Sequence, residues 1–151
     1  MNFNLDSTDK KILKYLTKDA RTKVVDIASS IGVTSAAIHQ RIGKIKRSGV
    51  IKRFTIHLNA RKLGYTTTAF VGVFIDKNSS YQKVLEKLIP IKEVVEVHYT
   101  TGKYGLFIKL YTGDNDHLMH VLNGEIQKIK EITSTETFMS LEESLSRSVS
   151  L

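Results

Sequence analysis

Gly32-Val33-Thr34-Ser35-Ala36-Ala37-Ile38-His39-Gln40-Arg41 is the stretch whose reading decides the fold. Ile27, Ala28 and Ile31 precede it on one face of a short helix, and Gly32 supplies the permissive backbone that ends that helix. Thr34 is placed to cap the helix that follows, in which Ile38, Ile42 and Ile45 recur at i, i+4 and i+7 and so face a core. Two short helices joined by a glycine turn, the second with a small and polar outer face, make a helix-turn-helix signature.

Working outward, Asp6 is placed to cap an earlier helix, with Asp9 near its positive end and Ile12, Leu13 and Leu16 as its buried stripe. Thr22 is expected to cap the second helix. On the third helix Ala36, Gln40, Gly43, Lys44 and Arg47 lie opposite the core, flanked by Ser35, Ala37, His39 and Arg41. Small residues at the N-terminal end permit close approach to a groove, Gln40 can pair bidentately with adenine, and Lys44 and Arg47 can reach phosphates or guanine. Gly49 closes the helix. Val50 to Ile56 alternates like a strand, a short wing that places Lys52 and Arg53 beside the groove. The expected partner is double-stranded DNA.

Charge supports that division of labour. Residues 1–62 hold 14 Lys and Arg against 4 Asp and Glu, whereas residues 63–151 hold 9 against 11, so the halves carry +10 and −2. An asymmetry of that size points to one module facing a polyanion and another with a different task. The chain has no cysteine, which excludes disulfides and thiolate metal sites. It has no run of about 18 apolar residues and no apolar leader, so a cytoplasmic protein without a membrane segment is expected. No nucleophile and base stand in a catalytic spacing, the glycines of 101–105 form no phosphate-binding loop, and His117 and His120, three apart, lack a third metal ligand. Neither an enzyme nor a metal or other cofactor is expected.

The second half reads as strand (66–75), helix (81–88, before Pro90), strand (94–100), strand (106–111), a helix carrying Leu118, Val121, Leu122, Ile126 and Ile129, and strand (132–141). The order βαββαβ is the ferredoxin-like split βαβ, with both helices on one face of an antiparallel sheet. That leaves the other face uncovered, and with Phe70, Gly72 and Phe74 on one side of the first strand and Ala69, Val71, Val73 and Ile75 on the other, both faces are apolar. A face that apolar needs a partner, and a second copy of the chain is the expected one. The fold class is therefore α+β. It comprises a winged helix-turn-helix over residues 1–56, a linker over 57–65, and a ferredoxin-like assembly and effector domain over 66–151.

Leu5-Asp6-x-x-Asp9, Arg21, Gly32-Val33-Thr34-Ser35, Arg41-Ile42, Gly49-Val50-Ile51, Leu63-Gly64-Tyr65, Thr101-Gly102-Lys103-Tyr104 and Thr135-Glu136-Thr137 jointly resemble the Lrp/AsnC (feast/famine) transcription regulators. The resemblance covers essentially the full length. It implies a regulator of amino-acid metabolism genes that dimerises, assembles dimers into octamers, and binds an amino acid between them. It carries an effector site onto Thr101, Gly102, Tyr104 and Gly105 and onto Thr133, Ser134 and Thr135. One departure stands out: the family usually has an acidic residue after the loop tyrosine, suited to an effector's ammonium group, and this chain has Gly105. The missing carboxylate keeps open a second reading, an architectural DNA-binding protein indifferent to amino acids. A ferredoxin-like enzyme or regulatory subunit is a third.

Overall fold

The computed structural model describes residues 4–150, and these fall into two units. One holds the chain through His57 together with the tail from Leu145; the other is Leu58–Ser144.

The first unit contains α1 (Ser7–Lys18), α2 (Val24–Ile31) and α3 (Ser35–Arg47). Ile12, Ile27, Ala28 and Ile38 meet at its centre, with Leu16, Val24, Ile31 and Ile42 packed around them. Each helix is too short to be stable alone, so this shared apolar stripe is what makes all three form. At the start of α1 a capping box is complete: the Asp9 amide donates to Asp6 Oδ1 at 2.8 Å and the Asp6 amide to Asp9 Oδ2 at 3.3 Å. Gly32 leaves α2 with φ +80°, the left-handed conformation that only glycine adopts cheaply.

Two expectations fail here. Thr22 does not cap α2; its hydroxyl donates back to the Asp19 carbonyl at 2.7 Å, and Lys23 stands at the cap without a side-chain bond. Residues 50–56 form no strand. A strand needs a neighbour to take its backbone hydrogen bonds, and among the described residues no strand pairs with this segment. Instead it lines a groove of about 1050 Å³ with the end of α1 and with Ser148 and Val149 of the tail.

The second unit is a four-stranded antiparallel sheet in the order β2-β3-β1-β4, formed by β1 (Thr67–Ile75), β2 (Val94–Tyr99), β3 (Leu106–Thr112) and β4 (Ile132–Ser140). Helices α4 (Tyr81–Leu88) and α5 (Asn115–Val121) supply Val84, Leu88, Leu118 and Val121 to one core with Ala69, Val71 and Val73 of β1. This is the expected ferredoxin-like arrangement. The second helix is not uniform: after α5 the chain makes a wide π turn over Leu122–Ile126, closed by the Gln127 amide on the Leu122 carbonyl at 2.8 Å. That extra residue turns Ile126 into the core and leaves Glu125 exposed, reversing what a regular helix would do from Leu118 onward. Among the described residues no helix is long and apolar enough to cross a membrane.

Candidate nucleic-acid interface and sheet-face cluster

α3 is held by three contacts that leave one side free. Thr34 Oγ1 accepts from the Ala37 amide at 3.2 Å, fixing the N-terminus, and Ile38 and Ile45 are fully buried. Ala36, His39, Gln40, Lys44 and Arg47 are exposed along the opposite side, with Ser35 and Ala37 half-buried at its start. Lys52 and Arg53 are exposed on the extended segment that follows.

Arg41 departs from its expected place on the DNA flank. Its Nη1 lies 2.6 Å from Asp6 Oδ2 and 2.7 Å from Asp9 Oδ1, so the guanidinium turns inward and ties α3 to the start of α1. The bond from Arg41, then the Asp9 amide, hold the Asp6 carboxyl below its usual range; the same two carboxylates raise Arg41. Arg41 thus ties α3 to the start of α1, while His39, Gln40 and Lys44 beside it are exposed.

The uncovered sheet face carries a second cluster. Direct cross-strand pairing places Glu136 and Phe107 on either side of Gly72, and Phe138 and Lys109 on either side of Phe70. Tyr104, in the loop between β2 and β3, lays its ring over Gly72; a Cβ there would stand 2.4 Å from the ring. Gly72 is thus required because an aromatic ring occupies the space a side chain would fill. The Tyr104 hydroxyl donates to Glu136 Oε2 at 2.6 Å, and Lys103 Nζ donates to Glu136 Oε1 at 2.5 Å while lying 5.6 Å from the Phe74 ring centre. These bonds, Lys103 first, lower the Glu136 carboxyl, whereas the bond to Glu136 and then burial raise the Tyr104 phenol.

Glu136 was not among the residues expected at this site. Its identity was visible within Thr135-Glu136-Thr137, but its position beside Tyr104 depends on β4 pairing with β1 in one register. Of the expected residues, Thr101 and Gly102 are exposed in the loop, and Gly105 donates its amide to the Val73 carbonyl at 2.9 Å. Ser134 shares the open face, opposite Phe74. Thr133 donates its hydroxyl to the Phe74 carbonyl at 3.2 Å, and Thr135 points to the helix side, accepting from Gln127 at 3.0 Å. The structure therefore brings Tyr104 and Ser134 to the open face, sets Gly105 against Ile75, and turns Thr135 to the helix side.

Two histidines, His117 and His98, have structural partners. His117 Nδ1 accepts from the Gly113 amide and its Nε2 meets Glu93, both at 3.2 Å, and His98 meets Glu96 at 3.3 Å. No group of three metal-ligating side chains occurs among the described residues.

The chain was compared with known proteins. The family model described as "Lrp/AsnC ligand binding domain" matches residues 68–149, and that described as "Winged helix-turn-helix DNA-binding" matches residues 5–52. The "Regulatory protein AsnC" of Haemophilus influenzae is 43% identical over 146 residues, covering 97% of each chain. The solved structure of Escherichia coli AsnC superposes with a TM-score of 0.94 at 37% identity, covering 99% of this chain and 100% of that one. A Neisseria meningitidis transcriptional regulator, solved as a complex with L-methionine, shares the fold at a TM-score of 0.91 and 19% identity, covering 98% and 96%.

Proposed function

The chain belongs to the Lrp/AsnC family of transcription regulators, and from that premise we propose that α3 reads duplex DNA while the sheet unit assembles the protein and senses an amino acid. The observation that carries the reading role is the exposed side of α3. Ala36 leaves room for a base edge, Gln40 offers a paired donor and acceptor, and Lys44 and Arg47 stand where the sugar-phosphate backbone would flank them. Ser35, Ala37, His39, Lys52 and Arg53 complete the surface, and Arg41 acts through Asp6 and Asp9 as a positioning residue. In this reading residues 1–56 are the DNA-binding domain, 57–65 the linker and 66–151 the assembly and effector domain. The protein works in the cytoplasm as a regulator of amino-acid metabolism genes and not as an enzyme.

Assembly follows from the uncovered sheet face, where Phe70, Phe107 and Tyr104 are half-buried and Phe138 is 48% exposed. Two such faces would cover one another in a dimer, and dimers would associate into an octamer. A dimer of reading helices calls for a roughly palindromic site with half-sites about one helical turn, or a multiple of it, apart.

For sensing, the amino-acid complex of the Neisseria regulator supports a free amino acid as the effector. Gly105 removes the family's acidic partner for the ammonium group, and Glu136 offers a replacement beside Tyr104. Lys103 now holds that carboxylate at 2.5 Å, so an effector's ammonium would have to displace a resident cation. Thr101, Gly102, Gly105, Thr133 and Ser134 would surround the rest of the ligand through backbone and hydroxyl groups, whereas Thr135, bonded to Gln127 on the helix side, would not reach it. The same resident cation favours a second reading, an architectural DNA-binding protein with no effector.

Selection of bound sequences from random duplex pools, with and without the twenty amino acids, tests both. An enriched palindrome whose occupancy shifts with one amino acid is expected. A palindrome unmoved by every amino acid leaves the architectural reading, and no DNA binding overturns the proposal.

A further inference from the structure

We propose that the outer face of α1 is a second, sequence-independent DNA-contact surface, because Lys10, Lys11, Lys14 and Lys18 form one exposed stripe with no carboxylate interleaved, Asp6 and Asp9 being engaged at its start and Asp19, after its end, accepting from the Arg21 amide. At about 100° per residue the four lysines span little more than a quarter of the helix circumference, opposite the buried Ile12 and Leu13. All four are exposed. Successive lysines at i and i+4 repel one another at distances well inside the screening length of about 8 Å at physiological salt. A solvated helix face normally relieves that repulsion by interleaving carboxylates. Here the only acids at the start of α1, Asp6 and Asp9, cap the helix and take the Arg41 guanidinium. None of the four lysines has an ion-pair partner among the described residues, whereas Lys87, Lys103 and Lys109 of the sheet unit each lie against a carboxylate.

The stripe cannot share the groove that α3 reads. α1 packs its apolar side toward α2 and α3, so its lysines face away from them. Phosphates they meet therefore belong to duplex outside the base pairs under α3: the DNA around the site, or another stretch brought close. Lysine suits that role, since a strongly hydrated point charge on a flexible stem follows a phosphate without demanding a base. The inference rests on the DNA-binding reading above but not on which residues read the bases.

The test is the salt dependence of binding to mixed-sequence duplex about 100 base pairs long, shorter than the DNA persistence length of about 150 base pairs. Each phosphate contact contributes about 0.9 to the slope of log affinity against log salt. Replacing all four lysines (K10Q/K11Q/K14Q/K18Q) is expected to lower that slope by about 3.6, so that the loss of affinity relative to the parent is about a hundredfold greater at 50 mM than at 200 mM salt. The motif enriched by selection should stay the same. A control that removes four exposed lysines of the sheet unit (K83Q/K92Q/K128Q/K130Q) has the same net charge and should change the slope by less than about one. Glutamine preserves helix propensity, and an unchanged or raised Tm confirms that the quadruple variant folds. An unchanged slope, or a loss matched by the control, overturns the proposal, as does a loss of anionic-vesicle binding with DNA binding intact. If instead Gln40→Ala and Lys44→Ala change nothing while the stripe variant does, the reading role of α3 fails and the stripe stands.

Discussion

The two faces that meet solvent, the outer side of α3 and the open side of the sheet, treat charge in opposite ways. On the sheet each cation is answered from within: Lys103 by Glu136 and Lys109 by Glu96 and Glu143, with aromatic rings beneath both. Around α3, Arg41 is answered by the Asp6 and Asp9 carboxylates and is turned from the outer side toward α1. A surface that neutralises its own charge can be covered by an apolar partner without stranding an ion. A surface that presents exposed lysines and arginines releases counterions when phosphate arrives. Under the proposed function, that difference suits the sheet face to self-assembly and the outer side of α3 to polyanion binding.

The largest effects should come from the separate cores beneath those faces. Ile38→Ala removes a fully buried side chain from the first unit and is expected to cost about 2–5 kcal/mol in urea unfolding followed by helix signal. The sheet transition should hold its midpoint, because its core shares no residue with this one. A matched loss in both would show that they unfold as one block and break the comparison. Gly72→Ala should cost the sheet unit about 1–3 kcal/mol, since the new methyl must expel the Tyr104 ring that lies over it. Tyrosine fluorescence would report the expulsion, and an unmoved signal would mean the ring does not rest there.

Local pattern made most of the fold legible. The αL glycine at Gly32, the cap at Thr34 and the period of Ile38, Ile42 and Ile45 are all decided within a dozen residues, and α3 formed as expected. What was not legible depends on partners far along the chain. Arg41 looks like a groove residue on a helical wheel, and only the packing of α1 against α3 reveals Asp6 and Asp9, 35 and 32 residues away. Glu136 reads as a surface acid until register sets it opposite Gly72 and so beneath Tyr104. Residues 50–56 alternate like a strand, yet alternation supplies no neighbour to pair with. At Leu122–Ile126 the apolar spacing is uneven, and a regular helix was the simpler reading of it.

Contrast within α3 itself sharpens the comparison further. Gln40→Ala should cost about 1–3 kcal/mol on the preferred sequence and little on others, flattening base preference in a selection experiment. Lys44→Ala should weaken every sequence alike and lower the salt slope by about one. Equal losses on all sequences from both would make the whole helix a phosphate binder and leave no reader.

The smallest effect concerns acid, and it tests the self-neutralised face. Hydrogen bonds from Lys103 and then Tyr104 hold Glu136 below the ordinary carboxylate value of 4.5, so the folded state binds this proton less readily than the unfolded chain. The stability this group contributes is therefore present in full above pH 4.5 and is lost as pH falls through its lowered value. Glu136 is well exposed, so solvent screens the bond and the dependence is expected to be shallow. Asp6 behaves in the same sense in the first unit, its carboxyl lowered by Arg41. Glu136→Gln should remove the acid-dependent part from the sheet transition while leaving that of the first unit, read as Tm against pH from 7 to 3. If the sheet transition keeps the same acid slope in the variant, the carboxylate contributes nothing to holding Tyr104 over Gly72. The ring would then be placed by its contacts with Phe74, Phe107 and Phe138.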